Sequence, residues 1–232
     1  VTENAINDGF EGEASDWSNV SSTDWMKYLD SSMLISQINL PGTHDSASVK
    51  FSSLESASKT QNVYVDTQLT YGVRYIDLRV NTSAQTLSDT SLSTGTTDYY
   101  TCHSSYNALK SDGSNYMMSE VIKACYDFLD AHPTEFIFLQ VQADNNRNDG
   151  AFQSTLREYI AKNPDKWYVK SGIPTLGEVR GRIVFGRGAM EDGGYGDYAN
   201  GTYLYAASGS STGANTSPSS PYYLTGTSKM QN

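Results

Sequence analysis

The sequence predicts an α/β fold, either a strand-and-helix barrel or a doubly wound sheet. Three observations carry that expectation. Short apolar strands alternate with helical segments along the chain, no internal repeat interrupts them, and polar residues with chemical potential sit just after several of the strands. At 232 residues the chain is long enough for one domain, 1–232, with a sizeable core.

Taken in order, a segment 1–22 leads into "STDWMKYLD", which reads as a short helix, and "MLISQINLP" reads as a first strand delivering "GTHD" at its end. "YGVRYIDLRV" is a second strand, placing Val73, Tyr75, Asp77 and Arg79 on one face and Arg74, Ile76 and Leu78 on the other. "YYTCHS" is a third. The stripe Met118, Val121, Ile122, Cys125, Phe128 and Leu129 has the spacing of a buried helix face, so the spacing predicts a helix from about Met118 to Ala131. "EFIFLQVQ" is a fourth strand, "GAFQSTLREYIAKN" a helix, "GRIVFGRG" a fifth strand, and "SKMQN" resembles the start of a sixth. Between the last two lies a Gly/Ser/Tyr-rich stretch, 190–228, read as a long loop or as an aromatic rim.

Composition excludes some functions. A hydrophobic content of 38% with 12% aromatics suits a globular protein, and no apolar run reaches the ~20 residues of a membrane span. A formal charge of -10 argues against nucleic acid as a partner, because gripping phosphates needs clustered Lys and Arg. Abundant Ser, Thr, Asn and Gly with little lysine leans towards a secreted or cell-surface protein, and the chain starts like a processed product, without a signal peptide. Cys125 belongs to the core stripe; Cys102 has the option of bridging to it in an oxidising compartment.

In both candidate architectures, sites gather at the carboxyl ends of strands. His44 and Asp45 end the first strand, Asp77 and Arg79 the second, His103 the third. The remaining histidine, His132, closes a helix before Pro133, a structural position. "DNNRNDG", 144–150, only faintly resembles a calcium loop: its glycine falls one place late and Thr155 stands where a bidentate glutamate belongs, so it reads as a polar turn.

"LISQINLPGTHDSAS", followed by "YGVRYIDLRV", "CHSSY" and "HPTEFIFLQVQ", resembles the catalytic X domain of bacterial phosphatidylinositol-specific phospholipase C, from about Asp24 to Gly188. The resemblance implies an irregular (β/α) TIM-type barrel and cleavage of phosphatidylinositol to diacylglycerol and inositol 1,2-cyclic phosphate. Chemistry fits the residues: His44 as the base on the attacking hydroxyl, His103 as the acid on the leaving oxygen, and Arg79 as the planar fork for the phosphate. Asp45 is implied to orient the site through Arg79 or His103, with Asp77 supporting a neighbouring His or Arg. Calcium-dependent relatives carry Asn after the first His and Glu-x-Asp on the second strand. "DLR" replaces that pair here, so the expectation is an enzyme without metal or cofactor.

The chain departs from the resemblance in places. Gln140 and Gln142 stand where metal-independent relatives tend to have lysine; Gln142 and Arg187 are the substrate-binding candidates. A later aspartate is implied to orient the base histidine, and the barrel is expected to be incomplete at its C-terminal side in this chain. The expected partners are phosphatidylinositol or a related inositol lipid and, transiently, a membrane surface, engaged by a monomer. Competing readings are a metal-dependent glycerophosphodiesterase and a non-catalytic surface or adhesion module on the same barrel.

Overall fold

Two strands with apolar alternation set the sheet: Tyr75–Leu87 (β2) and Ile137–Ala143 (β5) run parallel, with Tyr75 opposite Phe138 and Val80 opposite Ala143. The computed structural model describes residues 20–52, 55–87, 97–144, 150–169, 173–187 and 229–230; segment 1–19 and the stretch 190–228 lie outside the described residues. Ile183–Arg187 (β7) extends the parallel sheet beyond β5, and Trp167–Tyr168 (β6) pairs with β7. On the other side of β2 lies Gly42–Thr43 (β1), itself parallel to Lys229–Met230 (β8), which matches the sixth strand expected at "SKMQN".

Register places Asp77 opposite Gln140 and Arg79 opposite Gln142, so one face of the β2–β5 pair carries a polar column. Below it Tyr75 and Phe138 stack with ring centroids 5.1 Å apart. Tyr75 also fixes the identity of its partner across the ladder: a Cβ on Gly42 would lie 2.8 Å from the Tyr75 Cβ, so only glycine fits. The opposite face, with Ile76, Leu78, Val80, Leu139 and Val141, joins the fully buried core. The helix Met118–Ala131 (α3) lies where its stripe predicts and adds Val121, Ile122, Cys125 and Leu129 to that core. Glu55–Ser58 (α1), Val65–Thr70 (α2), Gly150–Lys162 (α4) and Leu176–Val179 (α5) are the other α-helices among the described residues.

Three expectations are corrected. The first strand, placed at 33–41, is only the two residues of β1: Ile35–Gln37 form a 3-10 turn, and Pro41 has no N–H for a ladder, although its carbonyl accepts from the Arg74 and Tyr75 N–H groups at 2.9 and 3.0 Å. "STDWMKYLD" forms a 3-10 turn over Trp25–Tyr28 and no longer helix. The third strand, Thr97–His103 (β3), is antiparallel to β2, with Val80 opposite Thr101, and continues into the short strand Tyr106–Asn107 (β4). β2 therefore runs past the parallel sheet, and β3 returns along that extension.

At the opposite end of β2 from this ribbon, Arg74 and Glu135 form a fully buried pair at 2.9 Å. Arg74 also donates to the carbonyls of Leu69, Val73, Ser22 and Thr23, while Glu135 accepts from the Met26 N–H. These bonds tie residues 22–26 across the sheet. His132 caps α3 and meets Asp24 at 2.9 Å, the structural position expected of it.

Candidate active site

Beyond β1 the chain keeps following β2: the Ser46 N–H donates to the Asp77 carbonyl at 2.8 Å, and the Asp77 N–H donates to Ser46 Oγ at 2.9 Å. Gln68 on α2 anchors the same turn, accepting from Thr43 Oγ1 and donating to the Ser46 carbonyl. His44 and Asp45 are thereby held against the polar column of β2.

His44 Nδ1 lies 2.9 Å from Asp77 Oδ2. That contact fixes the ring and leaves Nε2 on the far side, 3.6 Å from Asp45 Oδ2. The same Asp45 oxygen is 3.3 Å from His103 Nε2, so one carboxylate stands between both imidazoles. His103 arrives by the antiparallel return of β3, a route different from the carboxyl end of a parallel strand expected from the sequence.

Arg79 binds the carboxylates together. Its Nε is 2.5 Å from Asp45 Oδ1, one Nη is 3.6 Å from Asp77 Oδ2, and the other is 3.3 Å from Asp144 Oδ1. The Asp45 contact is an ion pair whose atoms meet off the N–H direction, so neither Asp45 oxygen nor Arg79 Nε has an aligned hydrogen bond. Burial pushes the Asp45 carboxyl up to about 6, and the neighbouring Asp77 pushes the same way, against Arg79 and His44. Burial works against the Arg79 charge, but Asp77, Asp45 and Asp144 outweigh it and raise its pKa further. A permanently cationic group thus sits beside a carboxylate that titrates near neutrality.

Asp144 is the residue that sequence reasoning missed. The sequence reads it as the first residue of a polar turn, 144–150, of which 145–149 lie outside the described residues. Yet it directly follows β5, and the rule that located His44 would have located it too. Besides Arg79, it accepts from the Ser104 N–H at 2.7 Å, next to His103. Gln142 is half-buried beside Arg79 in the register, and Gln140 is buried and accepts from the Tyr75 hydroxyl. The backbone of Arg187 ends β7 opposite Val141; its side chain lies outside the described residues. Cys102 and Cys125 are both free and buried, so the option of a bridge between them is not taken: Cys125 lies in the core stripe of α3, and Cys102 lies in β3 beside the charged site of Asp45, Arg79 and Asp144.

His44, Asp45 and Asp77 present a set of atoms within 4.8 Å of one another that would suit a cation. The Arg79 guanidinium reaches both carboxylates of that set and supplies positive charge there.

The family model PI-PLC X 1 matches residues 31–184. The 1-phosphatidylinositol phosphodiesterase of Staphylococcus aureus (strain Newman) is 32% identical over 198 residues, which cover 79% of this chain and 57% of the relative. The solved phosphatidylinositol-specific phospholipase C of Listeria monocytogenes superposes with a TM-score of 0.58 at 25% identity, over 74% of this chain and 58% of that one. A solved S. aureus phosphatidylinositol-specific phospholipase C, studied for its membrane binding, gives 0.58 at 26% identity, over 72% and 53%. The chain spans a little over half the length of these relatives. The neighbours decide between the two architectures in favour of the TIM-type barrel, of which the strands β8–β1–β2–β5–β7–β6 form an open wall. With more than half of its residues matched by the family model, the chain belongs to the PI-PLC X family.

Proposed function

We propose that the chain cleaves phosphatidylinositol, or an inositol lipid with the same headgroup core, to diacylglycerol and inositol 1,2-cyclic phosphate without a metal ion. The contact that carries this reading is His44 Nδ1 on Asp77 at 2.9 Å, which directs Nε2 away as a proton acceptor. Nε2 takes the proton of the inositol 2-hydroxyl as its oxygen attacks phosphorus. His103 gives a proton to the glycerol oxygen as that bond breaks, and Asp45 at 3.3 Å stabilises the imidazolium beforehand. Two imidazoles can then exchange roles and open the cyclic product with water.

The phosphate meets Arg79. A guanidinium has five N–H donors, and three carboxylates hold it in place while other donors remain to face phosphate oxygens. Its charge lies where the His44–Asp45–Asp77 set would otherwise draw a cation, which supports metal independence. Relatives named as phosphatidylinositol phosphodiesterases, one solved for its membrane binding, support a lipid substrate met at a membrane surface. A secreted or cell-surface location suits that encounter.

Phosphorus NMR of the chain with phosphatidylinositol micelles in excess EDTA tests the proposal. A cyclic phosphodiester signal appearing before any acyclic inositol phosphate is the expected result. Turnover that stops in EDTA and returns with calcium would overturn the metal-free reading, and no cyclic signal under either condition would overturn the activity.

A further inference from the structure

Among the described residues, the non-glycine residues with positive φ are Asp45 (φ 44°) and Ser104 (φ 55°), and each directly follows one of the two site histidines. Left-handed backbone at such residues is sparsely populated and persists where the surroundings over-determine it. For Ser104 the hold is Asp144, already part of the Arg79 network. The hold on Asp45 comes from elsewhere, from the segment just before α2.

Gln61, buried, donates from Nε2 to the His44 carbonyl at 2.6 Å, and Thr60 donates from Oγ1 to the Asp45 carbonyl at 3.0 Å. The backbone N–H groups of both residues donate to the Ser48 carbonyl at 3.0 and 3.1 Å, which docks their segment onto the turn. Consecutive carbonyls of His44 and Asp45 are therefore gripped by two consecutive side chains. We infer that Gln61, with Thr60 beside it, is a positioning residue: it locks the peptide between His44 and Asp45 in the left-handed turn that aims the imidazole at Asp77 and the carboxylate at Arg79 and His103.

The physical reason is geometric. Rotating the His44–Asp45 peptide towards an unstrained conformation would swing both side chains, which attach on either side of it. The contacts at stake are His44 on Asp77 at 2.9 Å and Asp45 on His103 at 3.3 Å. Misplacing a catalytic group by about 1 Å can cost on the order of 10²-fold in rate. The hold thus acts on base and acid together, since Asp45 serves the acid. This inference rests on the proposed phospholipase activity, although the geometry it concerns can be read without turnover.

The test uses the full chain and Gln61→Met, which keeps the length of the side chain and removes its amide. Turnover of phosphatidylinositol micelles and the downfield proton resonance of His44 Nδ1–H bonded to Asp77 are recorded for native chain and variant. We expect kcat to fall about ten- to a hundredfold with KM within about threefold, and the resonance to shift or broaden. A folded variant with native kcat and an unmoved resonance would overturn the inference. Should Gln61→Met not fold, Thr60→Val, which trims only the hydroxyl on the Asp45 carbonyl, is measured in the same two ways; a lower kcat with a moved resonance supports the inference, and native values of both overturn it. An inactive native chain would count against the phospholipase reading alone, and the resonance would still decide the positioning role.

Discussion

His44 and Asp77 meet through a ring nitrogen and a buried carboxylate oxygen 2.9 Å apart, across the step from the β1 turn to β2. Asp77, expected from the resemblance to support a neighbouring His or Arg, stands against both His44 and Arg79. Asp77→Asn keeps the shape and removes the charge that holds the Nδ1 proton. We expect kcat to fall by at least about 10²-fold with little change in KM, as when the carboxylate behind a catalytic histidine is neutralised. Steady-state kinetics with phosphatidylinositol micelles checks it, and His132→Ala, altering the histidine paired with Asp24, should leave kcat near native.

Asp45 gives the fold a pH dependence of definite sign. Burial raises its carboxyl from 3.8 to about 6, so the folded chain holds this proton more tightly than the unfolded chain does. The resulting stabilisation is complete below about pH 4 and is lost as pH rises through about 6, amounting to on the order of 1–3 kcal/mol. Asp45→Asn cannot titrate. Urea unfolding of both proteins between pH 4 and 7 should therefore show the variant gaining stability relative to the native chain as pH rises; a constant difference would contradict the assignment.

Arg74 and Glu135, paired at 2.9 Å with both side chains fully buried, have pKa values that burial drives towards neutrality, Arg74 downward and Glu135 upward. Removing one partner strands the other. Arg74→Met should lower unfolding free energy by about 3–5 kcal/mol, and Arg74→Met with Glu135→Met should recover part of that loss, measured by urea denaturation. Equal stability of the single variant and the native chain would show that the pair contributes nothing.

The parts of the fold written in local patterns were legible. α3 was readable because its apolar stripe repeats at helical spacing, and β2 because its two faces differ. His44, Asp45, Asp77, Arg79 and His103, expected at strand ends, are brought together by contacts of 2.5 to 3.6 Å, although Asp77 and Arg79 lie within β2 and His103 comes by the antiparallel β3. Pairing direction was not legible, because nothing in "YYTCHS" says whether it continues the parallel order or folds back on β2. Asp144 escaped for a related reason: its partners Arg79 and Ser104 are 65 and 40 residues away in sequence, and a polar turn hides the carboxylate that reaches them among ordinary ones. Thr60 and Gln61 carry no motif at all; only their positions against two carbonyls reveal them.

In the proposed reaction the Arg79 guanidinium, held by Asp45, Asp77 and Asp144, grips the phosphate where a metal would otherwise act. Lysine retains the charge and loses the planar fork, so Arg79→Lys should lower kcat by about 10²-fold or more, on the order of 3 kcal/mol, with a smaller effect on binding. The most direct measurement is the ratio of rates for the two phosphorus stereoisomers of a phosphatidylinositol analogue carrying sulfur at a nonbridging oxygen. If Arg79 grips the phosphate, the native chain discriminates strongly and Arg79→Lys much more weakly. Equal discrimination by both proteins would contradict it and leave Arg79 a structural residue.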